Sequence, residues 1–310
     1  MKALAFSFLV LVLVACTEAN VGKPQSVGEP YDVTLMATDK RLLKTVSGMM
    51  GVTMAGLPQE ERLFTVKTAK GKEVNAATMY ERTIVVVRRQ DGNTRIRYER
   101  NPYARDQLLV FIDTPSAEAL RADSAKTAKA LQRLIDQFET RVAMNHDRQN
   151  HNLKLMRTVE KTIGCNITIP SDIRASKTGK DFVWISDNGT RTMRNICVYA
   201  TPGTDCSANR LVDLRDSVMA RNIPGERQGM FMTTEHRAGL RHQRRGPFTV
   251  IHGLWAMKDD AMGGPFVSLS LPDTTRRRTI TAEAFLYAPS VDKAQTMRQL
   301  EALLYTLRLE

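Results

Sequence analysis

Apolar residues recur along this chain in two spacings, which divide it into helical and extended stretches. Residues 117–138 carry Leu120, Leu131, Leu134, Ile135 and Phe138 at helical spacing, behind the start signal Pro115-Ser116-Ala117-Glu118. Residues 292–307 repeat the spacing with Met297, Leu300, Leu303, Leu304 and Leu307, and residues 215–219 predict a further helix. Between them lie short runs rich in β-branched and aromatic residues, bounded by Gly, Asn, Asp and Pro, which predict strands. Such runs occupy residues 84–89, 94–98, 249–257 and 266–271, and Asp91-Gly92-Asn93 predicts a hairpin turn between the first two.

Part of this pattern occurs twice. Leu42-Leu43-Lys44-Thr45-Val46 followed by Gly51 matches Leu155-Met156-Arg157-Thr158-Val159 followed by Gly164, with identical spacing. In the same order, Leu63-Phe64-Thr65-Val66 answers Phe182-Val183-Trp184-Ile185. Arg82 to Val87 answers Arg194 to Tyr199, and Val110-Phe111-Ile112 answers Ala284-Phe285-Leu286. Ordered self-similarity points to repeated units. Strand runs between helices favour antiparallel sheets packed on helices. The expected fold is α+β: two related units of antiparallel sheet packed against helices, at residues 31–150 and 151–310, the second enlarged by insertions over residues 201–273.

The first residues follow another rule. Lys2 precedes an apolar run over residues 3–15, interrupted only by Ser7, which reads as a signal peptide over residues 1–15. The run is shorter than the ~20 apolar residues a membrane span requires. Leu13-Val14-Ala15-Cys16 resembles the bacterial lipobox, and that resemblance implies cleavage before Cys16 and a diacylglyceryl thioether on its sulfur. Several acyl chains anchor stably where one is marginal. Thr17 follows Cys16 where Asp would signal retention in the enterobacterial sorting pattern, so the outer membrane is the expected site. Residues 16–30 then read as the lipidated cysteine and a flexible tether holding the body ~20 Å from the lipid.

Composition narrows the class. The 310 residues are 42% apolar and 25% charged with 18 Gly and 12 Pro, which excludes a disordered, collagenous or multi-span chain. Four cysteines are too few for a disulfide scaffold, and the three left after Cys16 permit one bridge whose pairing stays open. The formal charge of +12 invites an acidic partner. Arg88 to Arg105 holds six arginines, His236 to Arg245 four, and Arg276-Arg277-Arg278 forms a third cluster. Export removes nucleic acid from consideration and leaves anionic lipid, envelope glycan or an envelope protein. Solvated, charge-protected strand edges account for the same arginines.

Long blocks in the second half carry a family resemblance. They include Gly179-Lys180-Asp181-Phe182-Val183-Trp184-Ile185-Ser186, Arg215-Asp216-Ser217-Val218-Met219 and Gly253-Leu254-Trp255-Ala256-Met257-Lys258-Asp259-Asp260. Phe285-Leu286-Tyr287-Ala288-Pro289 and the final helix extend them. Together they resemble domain-of-unknown-function family 4837, a family of bacterial lipoproteins, over essentially the whole mature chain and more loosely in its first half. The resemblance implies an exported, lipid-anchored envelope protein and brings no catalytic residues with it.

No Gly-x-Ser-x-Gly, His-Glu-x-x-His or Cys-x-x-Cys occurs. The most site-like stretch is Asp259-Asp260 before Met262-Gly263-Gly264-Pro265, close to Trp255. Carboxylates on a glycine-rich turn suit a cation or acid–base work, while a plain hairpin turn explains the same residues. Asp147 and His151 are one helical turn apart with His146 beside them, too few ligands for a metal site. No cofactor and no metal is expected. Candidate ligand-binding residues are Trp255, Asp259 and Asp260, and Cys16 is the lipidation site. The sequence reads as a membrane-anchored binding or scaffold protein of the cell envelope; the alternative is an envelope hydrolase using Asp259 and Asp260, with or without a divalent cation.

Overall fold

A computed structural model of the chain describes residues 22–37, 39–71, 73–235 and 239–310. The expected signal peptide over residues 1–15 and the expected lipidation site Cys16 lie outside them, as do His236, Arg237 and Ala238 of the second basic cluster. The first unit runs β1 (Asp32–Ala37), α1 (Lys40–Met49), β2 (Thr65–Thr68), β3 (Thr83–Arg89), β4 (Arg95–Arg100), β5 (Leu108–Thr114), α2 (Ala117–Ala122) and α3 (Ser124–Gln149). The second unit is longer. It runs α4 (Leu153–Ile163), β6 (Cys165–Asn166), β7 (Ala175–Gly179), β8 (Phe182–Ser186), β9 (Met193–Pro202) and α5 (Ala208–Asn222), then β10 (Met232–Glu235), β11 (Arg241–Arg245), β12 (Phe248–Met257), β13 (Gly263–Asp273), β14 (Arg278–Tyr287), α6 (Ala294–Leu304) and β15 (Arg308–Leu309). Helices packed on mainly antiparallel sheets make the chain α+β.

The second sheet has the order β10-β12-β13-β14-β9-β8-β7, with β11 beside β10 along β12, and every pairing in it is antiparallel. Its strands alternate between two cores, as a period of two demands. Ile196, Val198, Ile280, Ala282 and Leu286 face α4 and α6; Cys197, Tyr199, Phe266 and Phe285 face α5. Cys165 and Cys197 therefore belong to opposite faces of the sheet, and both are free thiols, as is Cys206.

The first sheet corrects two expectations. Its order is β2-β1-β3-β5-β4, and β1 with β2, β1 with β3 and β3 with β5 all run parallel. Residues 33–36, 84–87 and 108–110 are continuous buried runs, and strands covered on both faces suit a parallel sheet. One face meets α1, α2 and α3; Met36, Ile84, Val86 and Leu109 on the other are covered by Ala69 and Val74. Asp91-Gly92-Asn93 closes no hairpin. The buried β5 lies between β3 and the exposed β4, and only β4 with β5 is antiparallel. The helix expected over residues 117–138 is also two, α2 packing near β5 and α3 starting after Asp123 and running on to Gln149 beside α6.

The internal match survives at the level of one helix. Asp39 caps α1 by accepting from the Arg41 and Leu42 amides, and Asn152 caps α4 by accepting from the Leu155 amide. Leu42 and Val46 on α1 and Met50 just past its end are buried as Leu155, Val159 and Ile163 are on α4. The strands that follow do not correspond in sense, since β3 and β5 are parallel while β9 and β14 are antiparallel neighbours.

Residues 23–30, expected as free tether, are docked on the first unit. The Arg105 amide donates to the Pro24 carbonyl at 2.8 Å, the Val27 amide to Tyr80 at 2.7 Å, and the Arg82 amide to Val27 at 2.9 Å. Among the described residues no helix is long and apolar enough to cross a membrane.

Candidate functional site

The two units meet along α3 and α6, and the contact is ionic as well as apolar. Glu61, in the connection before β2, caps α6 from the other unit: its Oε2 accepts from the Lys293 amide at 2.6 Å and the Ala294 amide at 2.7 Å. Arg298 on α6 lies flat on the Tyr31 ring, 3.4 Å from its centroid, and donates to the Leu63 carbonyl at 3.0 Å and to Asp136 on α3 at 2.7 Å. Arg82 grips Glu139 through both carboxylate oxygens, and the Tyr31 amide adds a third donor. Burial and the neighbouring carboxylates push the Tyr31 hydroxyl upward, so it stays protonated.

Two concavities open on either side of this contact. A cleft of about 620 Å³ lies between Tyr31, Arg82, Glu139, His146 and Asp147 on one wall and Pro170, Asp172, Arg194 and Arg298 on the other. Its ionic groups mostly satisfy one another: Arg194 binds Asp172 and Asp187, both at 2.7 Å. Burial raises the Asp147 carboxyl against the effect of His146, which is 3.6 Å away. His151 instead meets the Arg148 carbonyl at 2.8 Å. Among the described residues no group of three His, Cys, Asp or Glu side chains is placed to hold a metal ion.

On the other side a groove of about 650 Å³ runs between α3 and β11. Lys129 and Arg133 line it from α3, Arg241, His242 and Arg245 from β11, and Arg298 from α6, against the carboxylates of Asp136 and Glu301. Those two acids are already engaged. Asp136 takes Arg245 and Arg298; Glu301 accepts from His252 at 3.0 Å and the Tyr305 hydroxyl at 3.1 Å. Burial works to raise the Glu301 carboxyl, but His252 and Arg245 outweigh it and hold it below the usual range. Lys129, Arg133 and Arg241 are exposed, so the groove presents a positive surface to solvent.

The residues singled out in the sequence lie elsewhere. Trp255 is turned into the core, its indole nitrogen donating to the Leu286 carbonyl at 3.2 Å and its ring 5.4 Å from Phe285. Asp259 and Asp260 are exposed at the tip between β12 and β13. Asp260 accepts from the Met262 amide at 2.9 Å, and Asp259, at φ +61°, offers its carbonyl to Arg227 at 3.0 Å. Gly263 and Gly264 serve close approach: a Cβ would sit 2.8 Å from the Trp255 carbonyl at the first and 2.1 Å from the Leu286 carbonyl at the second. Elsewhere, the Arg88–Arg105 stretch sends Arg88, Arg95 and Arg97 to the single carboxylate of Asp113, and Asp273 holds Arg276 and Arg278.

Sequence reasoning missed the inter-unit contact. Arg298, which crosses between the units, lies four residues before Ala302, and Glu139, which holds Arg82 and Tyr31 within the first unit, lies four after Ile135; both are on buried helix stripes, and a charge at a stripe position is the signal that marks them. Glu61 offers no such signal, because its partners are main-chain amides 232 and 233 residues away.

Residues 152–306 match the model of the family described as Domain of unknown function (DUF4837), and residues 26–147 match that of another, Domain of unknown function (DUF8532). The likeness expected over the whole mature chain is therefore divided between two families, in step with the different sheets of the two units. No curated protein matches the chain. With half of its length matched by that model and the blocks from Gly179 to Thr306 inside the match, the chain belongs to the DUF4837 family.

Proposed function

We propose that this chain is an exported, lipid-anchored envelope protein that works by binding, with Cys16 as its anchor and the groove between α3 and β11 as the seat of an anionic envelope glycan. The observation that carries the reading is the groove's charge: Asp136 and Glu301 are paired with Arg245, Arg298 and His252, and Lys129, Arg133 and Arg241 stand exposed beside them. Such a surface attracts a polyanion along its length and releases it with rising salt. A binding role asks nothing chemical of Asp259 and Asp260: Asp260 accepts from the Met262 amide of its own turn, and Asp259 offers its main-chain carbonyl to Arg227. The lipobox pattern at Leu13-Val14-Ala15-Cys16 supports the anchor, and Thr17 in place of Asp after it supports the outer-membrane destination.

The test is titration with a sulfated dextran oligomer at two salt concentrations. The protein binds it, and Lys129→Ala/Arg133→Ala/Arg241→Ala loses about a hundredfold in affinity, taking about 1 kcal/mol for each cation near an anionic surface. Unchanged affinity in that variant overturns the groove. For the anchor, fatty-acid label incorporated in cells disappears in Cys16→Ala, and label that persists overturns the lipidation.

A further inference from the structure

We infer that the end of the first sheet where residues 23–27 are docked lies on the bilayer that holds the acylated Cys16, with Val27, Tyr80 and Tyr103 at the level of the lipid headgroups. The inference rests on the acylation of Cys16 proposed above. Its first support is covalent reach. The main chain is tied to the body at Pro24, eight residues after Cys16, and eight residues span at most about 28 Å even when fully extended. The surface around Pro24 is thus the part of the body bound to stay near the membrane.

Its second support is what that surface exposes. Among the described residues the large apolar side chains left in water are Val27, Tyr80, Tyr98, Tyr103 and Leu153. Three of the five are brought together at this end by hydrogen bonds. The Val27 amide donates to Tyr80, the Tyr103 amide donates to the Gln107 side chain at 3.0 Å, and Gln107 Nε2 donates to the Met79 and Glu81 carbonyls at 2.8 Å each. A tyrosine ring with its hydroxyl suits the boundary between hydrocarbon and water. Arg105 is exposed beside the three, with a long stem that reaches headgroup phosphates, while Lys23 donates its Nζ to the Asn101 carbonyl at 2.7 Å and helps tie the chain to this end. Carboxylates there are mostly engaged: Lys67 binds Glu81 at 2.6 Å and Gln25 donates to Asp106 at 3.0 Å, leaving Glu29 exposed at the margin.

A protein partner would ask for more, since a stable interface covers ~800 Å² on each side. Three side chains set among polar main chain fall short of that. For a membrane they suffice, because an acylated anchor on a short connection keeps the local lipid concentration high and makes a weak contact effective.

The experiment uses the full-length acylated protein on phosphatidylethanolamine/phosphatidylglycerol vesicles, with a fluorophore on Tyr80→Cys, Tyr103→Cys or Arg277→Cys in a Cys206→Ser background. Cys165 and Cys197 are buried and do not compete for label. Arg277 lies on the turn between β13 and β14 that approaches Gly164, the far end of α4 from the cleft, and serves as the distant control. Headgroup-depth nitroxide lipids should quench the Tyr80 and Tyr103 labels at least threefold more than the Arg277 label. Protein that floats with the vesicles but shows equal quenching at all three positions overturns the inference and leaves the anchor standing. Labels unquenched on vesicles yet shielded in native envelopes assign this end to a protein and also overturn it. Protein that does not float overturns the acylation reading itself, and the orientation with it.

Discussion

A buried guanidinium shows how much one side chain decides here. Arg215 sits four residues from both Leu211 and Met219 on the apolar stripe of α5, is 2% exposed, and lies 3.9 Å from the Phe266 ring centroid. It binds Glu283 on β14 through Nε at 3.0 Å and Nη2 at 2.8 Å, and Thr234 through Nη1 at 3.0 Å. Burial raises the Glu283 carboxyl, and Arg215 opposes that rise. Arg215→Met leaves this carboxylate without its partner in the core, so about 3–5 kcal/mol of stability is lost, measured as a lower urea midpoint. Adding Glu283→Leu to the same chain restores a large part of the loss. An Arg215→Met protein as stable as wild type would show that the pair is not what orders this core.

At the scale of elements, the clearest dependence is that of the exposed edge strand β4 on Asp113. Burial works to raise this carboxyl, but hydrogen bonds from Arg97 and Arg88 outweigh it and hold it below the ordinary carboxylate range. A carboxyl depressed in the folded state adds stability above its unfolded value of about 3.9, and that stability is lost as pH falls through the folded value. Asp113→Asn is therefore expected to cost about 1–3 kcal/mol at pH 7, by urea unfolding, with the gap to wild type closing below about pH 4. A gap that stays constant from pH 7 to pH 3 refutes the charge account. The hairpin expectation failed at this same element. Asp91-Gly92-Asn93 is a good turn, yet β4 pairs with β5, because burying the run from Leu108 to Ile112 requires a neighbour on both sides. Turn chemistry reports a change of direction and is silent about which strand will occupy the gap.

Across the whole molecule the two units are joined by a few long-range groups, with Glu61 on the α6 N-terminus and Arg298 between Tyr31 and Asp136 at their centre. Glu61→Gln keeps a hydrogen-bond acceptor but removes the charge that complements the helix dipole, at a cost of about 1 kcal/mol. Glu61→Ala with Arg298→Ala separates the units. Heat capacity scans should then show two transitions where wild type shows one, and a single transition in the double variant would mean that the apolar contact alone makes the units cooperative.

Much was legible in the residues themselves. The helical stripes of α3 and α6, the start signal at Ser116 and the apolar runs of β12 and β13 are local properties, set by the period of the element and by amides a neighbouring side chain can reach. Strand sense was not legible, because parallel and antiparallel strands can carry the same apolar run and differ only in where the chain goes next. The basic groove, the cleft and the Glu61 cap were not legible either, since each joins residues far apart in sequence, and Trp255 looked like a binding residue until its ring was found in the core. The sequence by itself determined the α+β elements, the family of the second unit and the excess of positive charge. Only the tertiary structure decided where that charge is exposed, because pairing with Asp113, Asp136, Glu139, Glu283 and Glu301 depends on which elements meet.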